Sequence, residues 1–130
     1  MGAADMTKES CIYGFISGFG PAAYEASAVP TGEDAPAFPY TTYSLPIGAF
    51  GEELSMTVSL WYRSYSWAEA LAKADEISRR IGRSGVMLPC DGGGIWIRRG
   101  VPFAQTMGDP ADDMIKRVYI NLTVEYITND

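Results

Sequence analysis

The sequence predicts an α+β domain with a mostly antiparallel mixed β-sheet, one main helix packed on one face, and a short N-terminal helix. Residues 54–62 and 118–126 alternate apolar and polar side chains, the period of two that is typical of strands with one buried face. Between them, residues 67–81 place apolar side chains at helical spacing. Because helices and strands do not alternate regularly, we expect the main helix to cover an antiparallel sheet.

Length and composition predict one folded domain over residues 1–130. The chain has 130 residues, of which 47% are hydrophobic and 12% aromatic, so it is large enough for one core. Residues 5–19 carry a weak apolar stripe that predicts the N-terminal helix, and Gly18 and Gly20 are predicted to end this helix. The stripe consists of Met6, Ser10/Cys11, Tyr13/Gly14 and Ile16. Residues 22–28 are a possible strand, and an exposed loop follows up to residue 36.

Two segments before the main helix are predicted from their prolines and glycines. Residues 37–45 are rich in aromatics and Thr, and Pro39 and Pro46 predict an edge or short strand. Gly48 and Gly51 indicate a turn before the strand at 54–62.

The main helix has predicted signals at both ends. Ser66 and Glu69 fit a capping box, and Gly82 is placed to end the helix. Its predicted core face is Trp67, Leu71, Ala74, Ile77, Ser78 and Ile81.

After the helix, residues 86–88 can form a strand that Pro89 stops. The Asp-Gly-Gly-Gly run at 91–94 predicts a hairpin turn leading into residues 95–97. The polar segment 105–113 contains a second turn signal at Asp109.

The absence of histidine limits the possible chemistry. It excludes a Ser-His-Asp triad and His-ligated zinc, and it removes the commonest general base. Cys11 and Cys90 are predicted to be buried thiols. Two further hypotheses are weaker: that the Asp-Gly-Gly-Gly run binds phosphate, and that Asp109, Asp112 and Asp113 bind a cation. We therefore expect no enzymatic activity, no cofactor and no metal.

Charge and hydropathy argue against two classes of partner. A net charge of −6 disfavours binding to duplex DNA, which needs clustered Lys and Arg. No run of eighteen apolar residues is present, so no membrane is expected. Asp5 and Glu9 replace the cationic start of a signal peptide, which favours the cytosol.

The outward face of the two alternating strands is unusual. Because this face carries only one charged side chain, we expect it to contact another subunit. A Ser/Thr face that is exposed to water is an equal alternative. Its residues are Ser55, Thr57, Ser59 and Trp61 on one strand, and Tyr119, Asn121, Thr123, Glu125 and Ile127 on the other.

The order of motifs over residues 38–128 resembles a known family. The motifs are FPYTTYSLP, LWYRSYSW, AEALAKADEISRRIG, LPCDGGGIWIRRGVPFAQ and DDMIKRVYINLTVEYIT. In this order they resemble the tail terminator, tail completion or minor tail proteins of siphophages and prophages, the family of the lambda tail terminator. The resemblance implies a compact subunit that forms a hexameric ring on the head-proximal end of the tail tube, stops tube polymerisation and joins the tail to the head.

The resemblance also implies partners and location. The partners would be other copies of the chain, the major tail tube protein and a head-completion or connector protein, with DNA passing through the lumen without specific binding. The protein would belong to the virion and be assembled in the cytoplasm of the host bacterium. It implies no catalytic residues.

A ring needs two different patches on each subunit. We predict one patch on the side of Trp61, Trp96 and Tyr119. The other would lie in residues 98–113, and its candidates are Arg98, Arg99, Phe103 and Asp109. Two alternatives remain open: a head-completion, neck, tube-like or other minor tail protein, and a small ligand-binding or enzymatic α+β domain with a deep polar pocket.

Overall fold

The computed structural model describes residues 7–128, which form one curled, mixed six-stranded sheet and two α-helices. The sheet order is β1-β2-β3-β6-β5-β4, and every neighbouring pair is antiparallel except β1 and β2, which are parallel. This confirms the α+β class with a main and a shorter N-terminal helix. In chain order the elements are α1 Lys8–Ser17, β1 Ala22–Glu25, β2 Tyr40–Tyr43, β3 Glu53–Arg63, α2 Ala68–Ile81, β4 Val86–Cys90, β5 Gly93–Gly108 and β6 Ile115–Thr128.

The two alternating segments become the central strands, β3 and β6. They pair along their whole length, with Met56 opposite Leu122 and Leu60 opposite Val118. All four side chains are buried, so the period of two in the sequence correctly predicts the core face.

α2 lies on this core face and differs from its prediction in two details. It buries Ala70, Ala74, Ile77 and Ile81, whereas Leu71 is 44% exposed and was wrongly placed in the core. The capping box is also wrong, because the Ser66 hydroxyl accepts from the amide of Ala68 at 3.0 Å. The ending at Gly82, with φ of 71°, is confirmed.

α1 joins the two edges of the sheet. Its N-cap is Thr7, and it buries Ile12 and Ile16, whereas the predicted stripe member Tyr13 is 50% exposed. The predicted Met6 lies outside the described residues. α1 packs against β1 at one edge and β4 at the other, where the Cys11 thiol donates to the Pro89 carbonyl at 3.3 Å. The sheet therefore curls around α1 and presents its convex side outward.

The topology decides one strand prediction and corrects two. Of the two alternatives for β2, the short strand is confirmed by its four residues and the edge strand is wrong, because β1 pairs on its outer side. The strand at β1 ends at Glu25, and residues 26–28 form a 3₁₀ turn. β4 continues through Pro89 to Cys90, which an edge strand tolerates because proline's missing amide can face outward.

β5 is longer than expected. It runs through Gly108, so half of the predicted polar turn segment is strand and the turn begins at Asp109. Its register with β6 shifts between Arg99 and Ala104, which marks a bulge. β4 pairs only with Gly93 to Ile97, so the rest of β5 is a free sheet edge.

Candidate subunit interface

The convex side of the sheet, here called the outer face, is the candidate interface. Strand register fixes its membership, because paired residues of antiparallel strands point to the same side. Trp61 pairs with Arg117, Ser59 with Tyr119, and Glu125 with Trp96. Both helices pack on the opposite side. The outer face comprises Tyr40, Thr42, Glu53, Ser55, Thr57, Ser59, Trp61, Arg63, Trp96, Arg98, Gln105, Met107, Ile115, Arg117, Tyr119, Asn121, Thr123, Glu125 and Ile127.

Aromatic rings form a row across this face. Tyr40 stacks on Trp61 with 6.0 Å between ring centroids and an angle of 12°. The Arg117 guanidinium lies 4.6 Å from the Trp61 ring and 5.2 Å from the Tyr119 ring. The Trp61 indole N–H donates to the Thr42 hydroxyl at 2.9 Å. We call Tyr40, Trp61, Arg117 and Tyr119 the aromatic row.

The aromatic row leaves little ring surface for a flat ligand. Tyr40 and Arg117 come from strands on opposite sides of β3, so Trp61 stands between them. A base-stacking platform needs an open ring face, which this arrangement occupies with protein groups. The row instead combines two tyrosines, a tryptophan and an arginine, residue types that are enriched in protein interfaces.

Arg117 holds this arrangement in place and contradicts the expected single charge on the face. Its Nε donates to the Ser59 hydroxyl at 3.1 Å, and Ser59 is only 5% exposed although no helix covers it. Residue parity along β6 could have found Arg117, which lies two positions before Tyr119.

A second cluster occupies the other end of the outer face. Arg98 lies 4.0 Å from the Trp96 ring and forms ion pairs with Glu125 at 3.3 Å and Glu53 at 3.5 Å. Its buried Nε donates no hydrogen bond. The Trp96 N–H donates to the Ser84 carbonyl at 2.9 Å.

The predicted interface residues fall at different places. Trp61 and Tyr119 share the aromatic row, whereas Trp96 lies beside Glu125, six residues or about 20 Å further along β6. The candidates in residues 98–113 do not form one surface. Arg98 is on the outer face, whereas Arg99 is on the helix side, where its Nη1 donates to the Ser78 hydroxyl at 2.9 Å. Phe103 packs partly against the core. The Asp109 carboxylate accepts hydrogen bonds from the amides of Ala111 and Asp112 in the turn.

The groups considered for chemistry have structural partners. The Cys11 and Cys90 thiols are adjacent, and burial raises the pKa of each, which disfavours a reactive thiolate. Arg63 and the Met114 amide bind the Asp112 carboxylate and lower its pKa. Within residues 7–128, no group of three or more Asp, Glu, Cys or His side chains is arranged to hold a metal ion.

A cleft between α1 and the β2–β3 connection is lined by Lys8, Glu9, Pro46, Ile47 and Tyr126, among others. The Tyr126 hydroxyl donates to the Pro46 carbonyl at 2.6 Å, and burial raises its pKa to about 12. The phenol is thus a structural donor that closes the side of the core.

No protein-family model matches the chain, and no curated protein matches it in sequence. Neither helix in the described part of the chain has the length and hydrophobicity needed to cross a lipid bilayer. The geometry of the outer face and the motif order therefore carry the functional argument.

Proposed function

We propose that this protein is a structural subunit of a phage tail, of the tail-terminator type. Six copies form a ring on the head-proximal end of the tail tube, stop its polymerisation and join it to the head. The subunit performs no catalysis and uses no cofactor. It belongs to the virion and is assembled in the cytoplasm of the host bacterium.

The observation that carries this proposal is the ordered outer face, which no helix covers. Trp, Tyr and Arg are the residues that dominate the energy of protein interfaces, and all three occur in the aromatic row. Their side chains are already fixed by mutual contacts and by the bonds to Thr42 and Ser59. Association therefore loses less side-chain entropy than it would on a surface of free side chains.

A ring also needs a second, different surface on each subunit. The free edge of β5 supplies one, because residues beyond Ile97 have no neighbouring strand on that side. The stretch from Ala104 to Gly108 has no charge and no proline, the devices that usually protect an edge from pairing. An uncovered edge of this kind favours contact with another chain.

The proposed partners follow from the position of the ring. The major tail tube protein lies on one side of it and a head-completion or connector protein on the other. DNA passes through the lumen, where an acidic subunit of net charge −6 repels the phosphates and avoids retaining them.

Native mass spectrometry and negative-stain electron microscopy test the proposal directly. We expect closed rings, in isolation or on the ends of tubes assembled from a major tail tube protein. Trp61→Glu places a charge in the aromatic row and should abolish ring formation. Tyr65→Glu is the matched control, because Tyr65 is 89% exposed outside the outer face.

Folding of each variant is checked by circular dichroism. If Trp61→Glu fails to fold, Met107→Glu replaces it, since Met107 is 44% exposed and pairs with Arg117 on β6. A wild-type chain that stays monomeric at high concentration and ignores tube ends would contradict the proposal. A Trp61→Glu chain that folds and assembles normally would contradict the role of the outer face.

A further inference from the structure

An arginine-lined cleft lies at the free edge of β5, next to the end of α2. We call it the arginine cleft; its lining residues are Arg83, Arg98, Arg99, Gly100, Val101 and Phe103. Three arginines meet there in a chain whose net charge is −6. The fold alone does not explain why positive charge is concentrated at this place.

The three guanidinium groups differ in how they are neutralised. Arg98 is ion-paired with Glu125 and Glu53 on the outer face. Arg99 donates to the neutral hydroxyl of Ser78, and within residues 7–128 neither Arg99 nor Arg83 has an ion pair. The arginine cleft therefore presents two uncompensated positive charges.

The wall of the cleft is held rigidly against β6. A Cβ atom at Gly100 would lie 2.8 Å from the Asn121 carbonyl oxygen, so only glycine allows this close approach. The Asn121 side-chain amide donates to the Pro102 carbonyl at 3.0 Å.

Beside the arginines, Val101 is 98% exposed. The uncompensated guanidinium groups of Arg83 and Arg99 suit a carboxylate-bearing protein segment, because arginine binds carboxylates with two parallel hydrogen bonds. The exposed Val101 offers such a segment an apolar contact.

The loop between β1 and β2 carries the complementary charge. In this loop the exposed 3₁₀ turn Gly32–Asp34 presents Glu33 and Asp34. Neither carboxylate has an ion pair or a hydrogen bond among the described residues. The strand β1, where the loop begins, is four strand positions from β5, a path of about 19 Å along the curled sheet. The unpaired carboxylates and the unpaired guanidinium groups thus belong to segments at opposite ends of the strand order.

We propose that the acidic turn at Glu33 and Asp34 of one copy binds in the arginine cleft of the next copy. This inference rests on the proposed ring and adds an ion-paired contact between neighbouring copies to the outer face and the β5 edge. Two different complementary patches on one subunit form a heterologous contact, which closes into a ring when the rotation between copies permits. A second copy is the favoured occupant because the same chain supplies both halves of the charge complementarity.

Charge reversal on each side tests the contact. Arg83→Glu/Arg99→Glu reverses the cleft, and Glu33→Arg/Asp34→Arg reverses the turn. Sedimentation velocity should show at least a tenfold weaker self-association for each variant alone. All four residues are exposed, so circular dichroism should show the native fold.

A mixture of the two variants is the decisive measurement. Each variant carries the partner that the other lacks, so an equimolar mixture should restore rings of alternating subunits. Arg79→Glu/Arg80→Glu is the matched control, since it makes the same change in net charge at exposed sites on α2, outside both the cleft and the outer face, and should assemble like the wild type.

The outcomes separate the inference from the proposed function. If both variants assemble like the wild type, or if the mixture does not recover, the inference is overturned while rings of wild-type protein still support the function. If the mixture recovers but wild-type rings never bind tail tubes, the contact stands and the terminator function fails. A wild-type chain that does not self-associate, on tubes or free, overturns both.

Discussion

The two sides of the sheet use the same strands for different purposes. On the concave side, Met56, Leu60, Val118 and Ile120 are fully buried under the helices, where hydrophobic contact has no preferred direction. On the outer face, the aromatic row is ordered by directional contacts, such as Trp61 with Thr42 and Arg117 with Ser59. Folding therefore depends mainly on the concave side, while the outer face is ordered by its own ring and hydrogen-bond contacts, as the proposed interface requires.

The largest expected effect comes from the concave side. Leu60→Ala removes a fully buried side chain between β3 and the helices, and it should lower the free energy of unfolding by about 2–5 kcal/mol. Urea denaturation followed by circular dichroism measures this. Ser55→Ala, on the exposed outer side of the same strand, is the control and should change stability by no more than about 0.5 kcal/mol. Equal losses for the two would show that the outer side of β3 contributes as much to folding as the concave side.

A smaller effect on stability is expected from removing the Tyr126 hydroxyl, which donates a hydrogen bond at the rim of the core. Tyr126→Phe leaves the Pro46 carbonyl without its donor and should cost about 1–1.5 kcal/mol near pH 8. Burial raises the pKa of Tyr126 to about 12, above its unfolded value, so the wild type loses this stabilisation as pH rises from about 10 to 12.

Unfolding of both proteins by urea at pH 8 and pH 11 checks the prediction. The difference between wild type and Tyr126→Phe should shrink at the higher pH, because only the wild type has this phenol to ionise. Tyr65→Phe, at an 89% exposed position, should match the wild type at both. A difference that grows with pH would contradict the assigned sign.

The smallest effect is expected on the outer face. Arg117→Met keeps a long side chain but loses the bond to Ser59 and both ring contacts, which should cost about 0.5–1 kcal/mol. Thermal unfolding measures it, with Arg79→Met as a control, because the Arg79 ion pair with Asp75 is exposed. A loss as large as that of Leu60→Ala would show that the outer face also drives folding.

The sequence predicted best where periodicity acts on one element at a time. The alternation in β3 and β6 and the spacing of Ala74, Ile77 and Ile81 depend only on which side of an element is buried. Leu71 was placed wrongly in the core. The small side chain of Ala70 allows α2 to pack against the sheet with a helix face that is rotated away from the most apolar face of the helix.

Other features depend on partners that are distant in sequence. β2 became an inner strand because β1 adds to it in parallel, which no local pattern shows. The predicted strand ended at residue 97, whereas β5 continues through a bulge between Arg99 and Ala104 that only its pairing with β6 reveals. The arginine cleft needed both α2 and β5 in place, so residue order alone did not bring Arg83 to Arg99.

The central position of β6 has a consequence for biosynthesis. β3 emerges from the ribosome well before residues 115–128, yet β6 is the neighbour with which it pairs along its full length. Until then the hydrogen-bonding edge of β3 that β6 will occupy has no partner strand, and β3 pairs only with the short strand β2. The nascent chain therefore cannot complete its sheet during synthesis of α2, β4 or β5, and we expect that it needs protection from aggregation until β6 is released.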